Sequence, residues 1–361
     1  MRATRALFVS LALIAALPAV AAERMMELSL EGAESVRVHN LAGAVQLVPG
    51  EGEVVIRARV TAEKQDVADA IQLRRTNGRD GVEVVVEYPD KLSRIHYEGD
   101  EFRRLDATLD YQGRRMRVSN SGGEAVRVDI EIVVPAGRSV EVRNEVGGIA
   151  ADRIDGNLAL TARYGLVRVT DGAGQLAVST GSGRVGVAGF RGNVDTRTGS
   201  GAASLENVLG PVQAKTGSGG ATLRGVDGDI SAETGSGSVR VNDAVGSLNA
   251  RTGSGSVRVE ALTAGPGINI ATGSGSVTVA GDLGRVREML VRTGSGSVTV
   301  DSSSPLSLAV ELSTGSGGFR VDAPVLSNVE SGRRSFSAVV GDGAGTARIT
   351  TGSGSIRITS P

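Results

Sequence analysis

From Val140 onward, apolar residues fall on alternate positions in short runs broken by Gly and Ser. One set of runs leads up to a threonine: Leu176 and Val178, Val212 and Ala214, Ile230 and Ala232, Ile268 and Ile270. A second set follows a few residues later: Val185 and Val187, Val239 and Val241, Val257 and Val259, Val277 and Val279, Val298 and Val300, Ile356 and Ile358. Alternation with period two marks strands buried on one face. Between the two sets stands a TGSG tetrad, whose glycines allow a sharp turn where a Cβ would clash. Each unit therefore reads as strand, bend, strand.

The units recur at a fixed interval, which is the signature of a stacked repeat. TGSG begins at Thr180, Thr198, Thr216, Thr234, Thr252, Thr272, Thr293, Thr314 and Thr351. The first four steps are 18 residues, then 20, 21, 21 and 37, the last about two periods. Asn144 and Ala162 hold the same place in two earlier, degenerate units. Twelve residues after the tetrad position lies a second landmark, Gly156, Gly174, Gly192, Gly210, Gly228 and Gly246, read as another corner. One such coil cannot bury its apolar face alone, whereas stacked coils can. The fold class expected is all-β, a single-stranded β-solenoid with coils of about 18 residues. Roughly a dozen coils between Val140 and Pro361 would form a rod on the order of 55 Å long.

Stacking sets equivalent residues above one another. The tetrad threonines are in phase with inward positions, so a Thr ladder bonding to turn backbone is expected rather than an outward ligand array. The position before each Thr faces out and runs Arg197, Lys215, Glu233, Arg251. A second outward line holds Arg240, Arg258, Thr278 and Thr299. These read as a solvated, charge-blunted face, with a weak groove for acidic polysaccharide as the functional rival. Aspartates near corners (Asp171, Asp227, Asp243, Asp282, Asp301, Asp322 and Asp342) read as turn residues. TGSGSV lacks the Asp of calcium-binding β-rolls. No GK[ST] follows any tetrad, so a phosphate loop is not indicated.

Composition narrows the picture further. There is no cysteine among the 361 residues, which removes disulfides, thiol nucleophiles and cysteine metal sites. The two histidines, His39 and His96, are too few and too far apart for a metal centre. Aromatics are 2% of the chain, so the core must be Val, Leu, Ile and Ala. Arg2 and Arg5, the apolar run Leu7 to Leu17 and the small residues to Ala22 form an export signal, too short to span a bilayer. Cleavage after Ala22 takes the formal charge from −1 to −3, which gives no general attraction to nucleic acid. No later run of apolar residues is long enough for a membrane span.

Three regions are expected: a signal peptide over 1–22, an N-terminal part over 23–139, and the regular solenoid over 140–361. Val36 to Val48 copies the coil pattern, with Asn40 at the Thr position. Gly52 to Val60 and Val82 to Tyr88 read as strands, Ala62 to Ile71 as a short helix, and Asn77 to Gly81 as a turn. Tyr97 to Glu124 is a polar excursion with a hairpin, Leu105–Tyr111 and Arg114–Ser119, turning at Gly113. Val126 to Pro135 returns to the sheet. The N-terminal part is expected to continue the stack as wider coils and to cover its end.

Three segments carry a resemblance: VRVHNLAGAVQLVPGEGEVVIRARV with the following helix and EVVVEYP, VVPAGRSVEVRNEVGGIAA, and RRSFSAVVGDGAGTARITTGSGSIRI. In this order they resemble a bacterial envelope family known as "putative adhesins", a β-strand-repeat domain of unknown function. The resemblance implies a right-handed β-helix. It implies no catalytic residues, no cofactor and no metal. The expected role is an exported, non-catalytic scaffold in the periplasm or at the cell surface, binding an envelope polymer or protein. Two other classes stand beside it: an envelope structural or signalling component that self-assembles, and a polysaccharide lyase or hydrolase. The last needs converging carboxylates on one outward face, which the regular coils do not offer.

Overall fold

The computed structural model describes residues 22–78, 81–99, 104–324 and 326–361. Residues 1–21 of the expected signal peptide over 1–22, Arg79 and Asp80 of the expected turn, and residues 100–103 of the expected polar excursion lie outside these. The described chain is all-β apart from one short helix, Gln65–Ala70. That helix falls within the segment whose alanines and charges predict it.

The alternating runs become parallel strands in register. Leu158 pairs with Val140 and with Leu176, Leu176 with Val194, Val194 with Val212, and Val212 with Ile230. Each step is one 18-residue repeat. Leu248 then pairs with Ile268, and Ile268 with Met289. The two extra residues of the first longer step are taken up at the corner, where the register shifts between Gly246 and Leu248. These apolar residues are all buried, at 3% exposure or less. Burying a Val or Leu side chain contributes about 1.5–3 kcal/mol, which is the main favourable term in a core without large rings.

The threonines form an inward ladder. Thr252 Oγ1 donates to the Gly237 carbonyl of the preceding coil at 2.8 Å and accepts from its own Gly255 N–H at 3.0 Å. Thr198, Thr234, Thr272 and Thr293 repeat the donation, at 2.8–3.0 Å. Each hydroxyl thus satisfies two buried backbone groups at the bend. The last tetrad glycine is needed because backbone meets backbone there: a Cβ on Gly237 would lie 2.1 Å from Gly219 O.

At a further corner, one residue per coil takes the left-handed conformation: Arg153, Asp171, Gly189, Asn207, Gly225, Asp243 and Ala261, with φ between 50° and 67°. Gly, Asn and Asp tolerate this region. Asp171 and Asp243 therefore act as turn residues. Asp282 does so differently, accepting from Gly284 N–H at 3.2 Å and from Ser304.

The coils do not stack in chain order at either end. Val36 pairs with Val140, so Ser35–Ala42 lies directly on Arg138–Val146, and Asn40 stands over Asn144 although 104 residues separate them. The residues between fold outward into a cap. Gly81–Glu87 pairs parallel with Ser35–Ala42 and so continues the stack, while the rest of the cap is built from antiparallel pairs: Ala22–Leu30 with Val54–Ala62, Gln72–Gly78 with Gly81–Glu87, and Asp106–Tyr111 with Arg114–Ser119. The last turns at Gln112 and Gly113, both with positive φ, as a two-residue hairpin turn requires. The physical reason is closure. A bare terminal coil exposes its inward column, and Tyr88, Tyr97, Leu109, Tyr111 and Met116 are buried in the cap that covers it.

At the other end, Gly345–Thr351 pairs on one side with Glu288–Thr293 and on the other with Leu308–Thr314. The coil that is last in sequence is thus second to last in space. The 37-residue interval from Thr314 to Thr351 is an excursion and return, not two successive periods. The excursion places Ser335–Val340 antiparallel to Leu308–Thr314, and Leu326–Ser331 antiparallel to Ser335–Val340.

Both edges carry features that oppose further strand pairing. Leu326–Ser331 has a register shift between Ser327 and Glu330. The N-terminal edge strand turns Arg24 inward, where it donates to the carbonyls of Asp69 and Ile71 at the end of the helix, at 2.6 and 2.8 Å. Bulges and inward charges are devices by which edge strands avoid edge-to-edge association.

Candidate binding surface

Two parallel troughs run along the outside of the stack, each lying between columns of outward side chains one coil apart. The first has a volume of about 1030 Å³ and reaches from Ser35 to Leu290. One wall holds Ser139, Asn157, Gln175, Asn193, Pro211, Asp229 and Ser247. The other, two residues further along each strand, holds Glu141, Ala159, Ala177, Asp195, Gln213, Ser231, Asn249 and Asn269. The backbone of the buried Val, Leu and Ile column is the floor. At a rung spacing of about 4.8 Å, ten coils give a trough roughly 43 Å long.

Its polar groups are amides, hydroxyls and the carboxylates of Glu141, Asp195 and Asp229. Asn157 Nδ2 reaches Ser139 Oγ at 3.4 Å, and Asp229 Oδ1 accepts from Ser247 N–H at 2.9 Å. Asp195 Oδ2 is held by Arg197 at 2.7 Å. Two oxygens of the second wall, Asp195 Oδ1 and Asn249 Oδ1, are shielded from solvent without a hydrogen-bond partner.

The second trough, about 1100 Å³, runs beside the tetrad turns past Arg197, Lys215, Glu233, Arg251 and Arg292. The structure brings the sequence-predicted charge ladder together here. Glu233 lies between two cations, 3.4 Å from Lys215 and 3.6 Å from Arg251. The Arg197–Lys215 adjacency is eased by Asp195. All four ladder side chains are a third or more exposed, so each pair contributes at most about 1 kcal/mol.

The histidines stand apart, each beside a carboxylate. His39 Nε2 is 3.1 Å from Glu145 Oε1 under the Tyr111 ring, and His96 Nε2 is 3.0 Å from Glu98 Oε1. Desolvation pushes the Tyr88 and Tyr111 hydroxyls well above their ordinary range, and Tyr111 donates to Val86 O at 2.7 Å. These groups serve the cap. Ser304 holds the Asp282 carboxyl below the usual carboxylate value, and Ser307 does the same for Asp342. Among the described residues, no group of three or more His, Asp or Glu is placed to hold a metal ion. No described helix is long and apolar enough to cross a membrane.

The amide walls were not apparent in the linear sequence, where Asn and Gln occur singly among strand residues. The signal that finds them is the column read at the 18-residue interval, which runs Ser139, Asn157, Gln175, Asn193.

Residues 242–361, the C-terminal third of the chain, match the family model described as Toastrack DUF4097. No curated protein sequence matches the chain at a significant level. Three solved structures are similar to it. One, from Clostridium sporogenes, is described as a "putative cell adhesion protein"; it is 10% identical, with 95% of this chain and 100% of that one covered and a TM-score of 0.26. A "putative adhesin" from Parabacteroides distasonis is 9% identical over 93% and 97% of the two chains, with a TM-score of 0.28. A "putative lipid binding protein" from the same organism is 10% identical over 93% and 96%, with a TM-score of 0.31.

Proposed function

We propose that this chain is an exported, non-catalytic scaffold of the bacterial cell envelope that binds an extended polymer or protein partner along its first trough. In this reading residues 1–22 are a cleaved signal peptide. Residues 23–139 form the cap with its first coil, and 140–361 wind as a right-handed β-helix. The observation that carries the reading is the trough itself. It is continuous over ten coils, and its walls stand on or beside strands bonded to both neighbouring coils. Such a surface suits a long ligand better than a compact one. The inward Arg24 and the bulged Leu326–Ser331 edge weigh against the self-assembling alternative.

The test pairs fractionation with capture. Cells producing the tagged protein are separated into cytosol, periplasm and surface, and envelope extract is passed over the wild type and over a variant with the trough obstructed, Ala177→Arg. The expected result is export, with an envelope component retained by the wild type and lost by the variant. Recovery of the full-length chain in cytosol, or equal retention by both, contradicts the proposal.

A further inference from the structure

We infer that the first trough takes a linear, uncharged glycan of β-1,4-linked pyranose units lying along the solenoid axis. This rests on the trough being a polymer site, as proposed above, and names the polymer. Three observations lead to it.

The first is spacing. The walls repeat once per coil, about 4.8 Å, and neighbouring columns stand about 7 Å apart. An extended polypeptide advances about 3.4 Å per residue, so its like-facing side chains recur every 6.8 Å and drift out of phase with the rungs. A pyranose in an extended β-1,4 chain advances the polymer by close to one rung. Because each sugar is turned by about half a revolution from the one before, alternate sugars meet the same wall with the same edge, two rungs apart.

The second is hydrogen-bonding character. Gln175, Asn193, Gln213 and Asn269 each carry a donor and an acceptor on one head. Sugar hydroxyls also donate and accept, so a row of amides matches a row of hydroxyls without fixing a single orientation. The charges lining the trough are mostly carboxylates: Glu141, paired with Arg37, and Glu288 lie toward its ends, Asp195 and Asp229 lie mid-trough, and Arg197 engages the other oxygen of Asp195. An acidic polymer would meet repulsion there, and the sparse charge gives no strong attraction to a cationic one.

The third is the pair of unpaired acceptors. Asp195 Oδ1 and Asn249 Oδ1 are on the same wall, three coils apart. Buried polar atoms normally have partners. For Asn249, rotation about the soft terminal torsion turns the oxygen to the trough, where a ligand hydroxyl supplies the missing donor, while Asp195 stays anchored through Arg197. No aromatic residue stands on either wall, so sugar edges rather than ring faces would make the contacts, and affinity should grow with chain length.

Titration calorimetry of the purified protein tests this, using cello- and chito-oligosaccharides of two to eight units, with oligogalacturonate and an uncharged extended peptide as comparators. The expected result is binding of the neutral oligosaccharides, with affinity rising roughly tenfold between the tetramer and the hexamer. Ala177→Arg and Asn249→Ala each weaken it about tenfold or more with no change in melting temperature, and Arg240→Ala, on another outward line, has no effect. Neutral-glycan binding that ignores Ala177→Arg overturns the inference. So does Ala177-dependent binding of oligogalacturonate or peptide alone; in that case the trough remains a polymer site and only the named class fails. If no probe binds while envelope extract still yields a component retained through the trough, the glycan assignment falls and the proposed function stands. If neither occurs, both fall.

Discussion

Thr351 Oγ1 donates to the carbonyl of Gly296 at 2.8 Å, although 55 residues separate them. Thr314, nearer in sequence, donates instead to Gly354 at 2.9 Å. The ladder therefore runs Thr293, Thr351, Thr314. The chain's last coil is clasped between two earlier ones, and the hydrogen bonds that record this order are the same ones that close each bend.

Replacing Thr252 by Val keeps the shape and removes the hydroxyl. Gly237 O and Gly255 N–H then lose a partner each in a buried bend. Loss of about 1–3 kcal/mol is expected, against less than about 0.5 kcal/mol for Thr252→Ser. Urea midpoints of the two variants check this, and equal midpoints would remove the ladder's role.

The glycines should divide by contact rather than by sequence. At Gly237 an added Cβ meets backbone at 2.1 Å, whereas at Gly186 nothing lies within 4 Å. Gly237→Ala is expected to cost more than about 3 kcal/mol or to prevent folding, and Gly186→Ala to be neutral or slightly stabilising. Thermal melts followed by circular dichroism distinguish them.

Ala261 holds a left-handed position, φ 50°, that Gly189 and Gly225 occupy in other coils. Ala261→Gly relieves a conformation that costs an L-residue about 1–2 kcal/mol, offset in part by a more flexible unfolded chain. A net gain of about 0.5–1 kcal/mol is expected in the melting curve. A loss would mean that the corner is held by the Ala261 methyl.

Acid should loosen the C-terminal end ahead of the central coils. Asp282 and Asp342 are held below their ordinary value of 3.8 by Ser304 and Ser307. A carboxyl lowered in the folded state stabilises above its unfolded value, and that contribution disappears as pH falls through the lowered one. Below pH 3.8 amide exchange near residues 304–307 should rise ahead of the central coils, and Ser304→Ala should weaken the pH dependence. Uniform exchange across the stack would contradict this.

Much of this fold can be read from the residues because a repeat writes its own register. Asn40 and Asn144 sit at the Thr position in the sequence pattern and stack on each other in the structure, Asn40 Nδ2 reaching Asn144 Oδ1 at 3.2 Å. Periodicity identifies equivalent residues but not neighbouring coils. Nothing in the interval from Thr314 to Thr351 says that the second slides beneath the first. The hairpin turning at Gly113 and a cover over the stack's end were legible, whereas the antiparallel pairing of Ala22–Leu30 with Val54–Ala62 was not. Tyr97 to Glu124 looks polar overall, yet Leu109, Met116 and Val118 alternate inward and close the end. The trough is a property of columns, and Gln175 and Asn249 acquire meaning only once the coils are superposed.

The stacking order of the C-terminal coils can be measured in this chain without background, because it contains no cysteine. Thr299 pairs with Arg357, and Arg357 with Arg320, so Thr299 and Arg320 are two rungs apart. A disulfide needs Cα atoms about 4.4–6.8 Å apart, which one rung satisfies and two do not. Under mild oxidation, Thr299→Cys with Arg357→Cys should form an intramolecular bond, and Thr299→Cys with Arg320→Cys should stay reduced. The reverse outcome would mean that the coils follow chain order, and failure of both pairs would mean that the C-terminal coils do not stack.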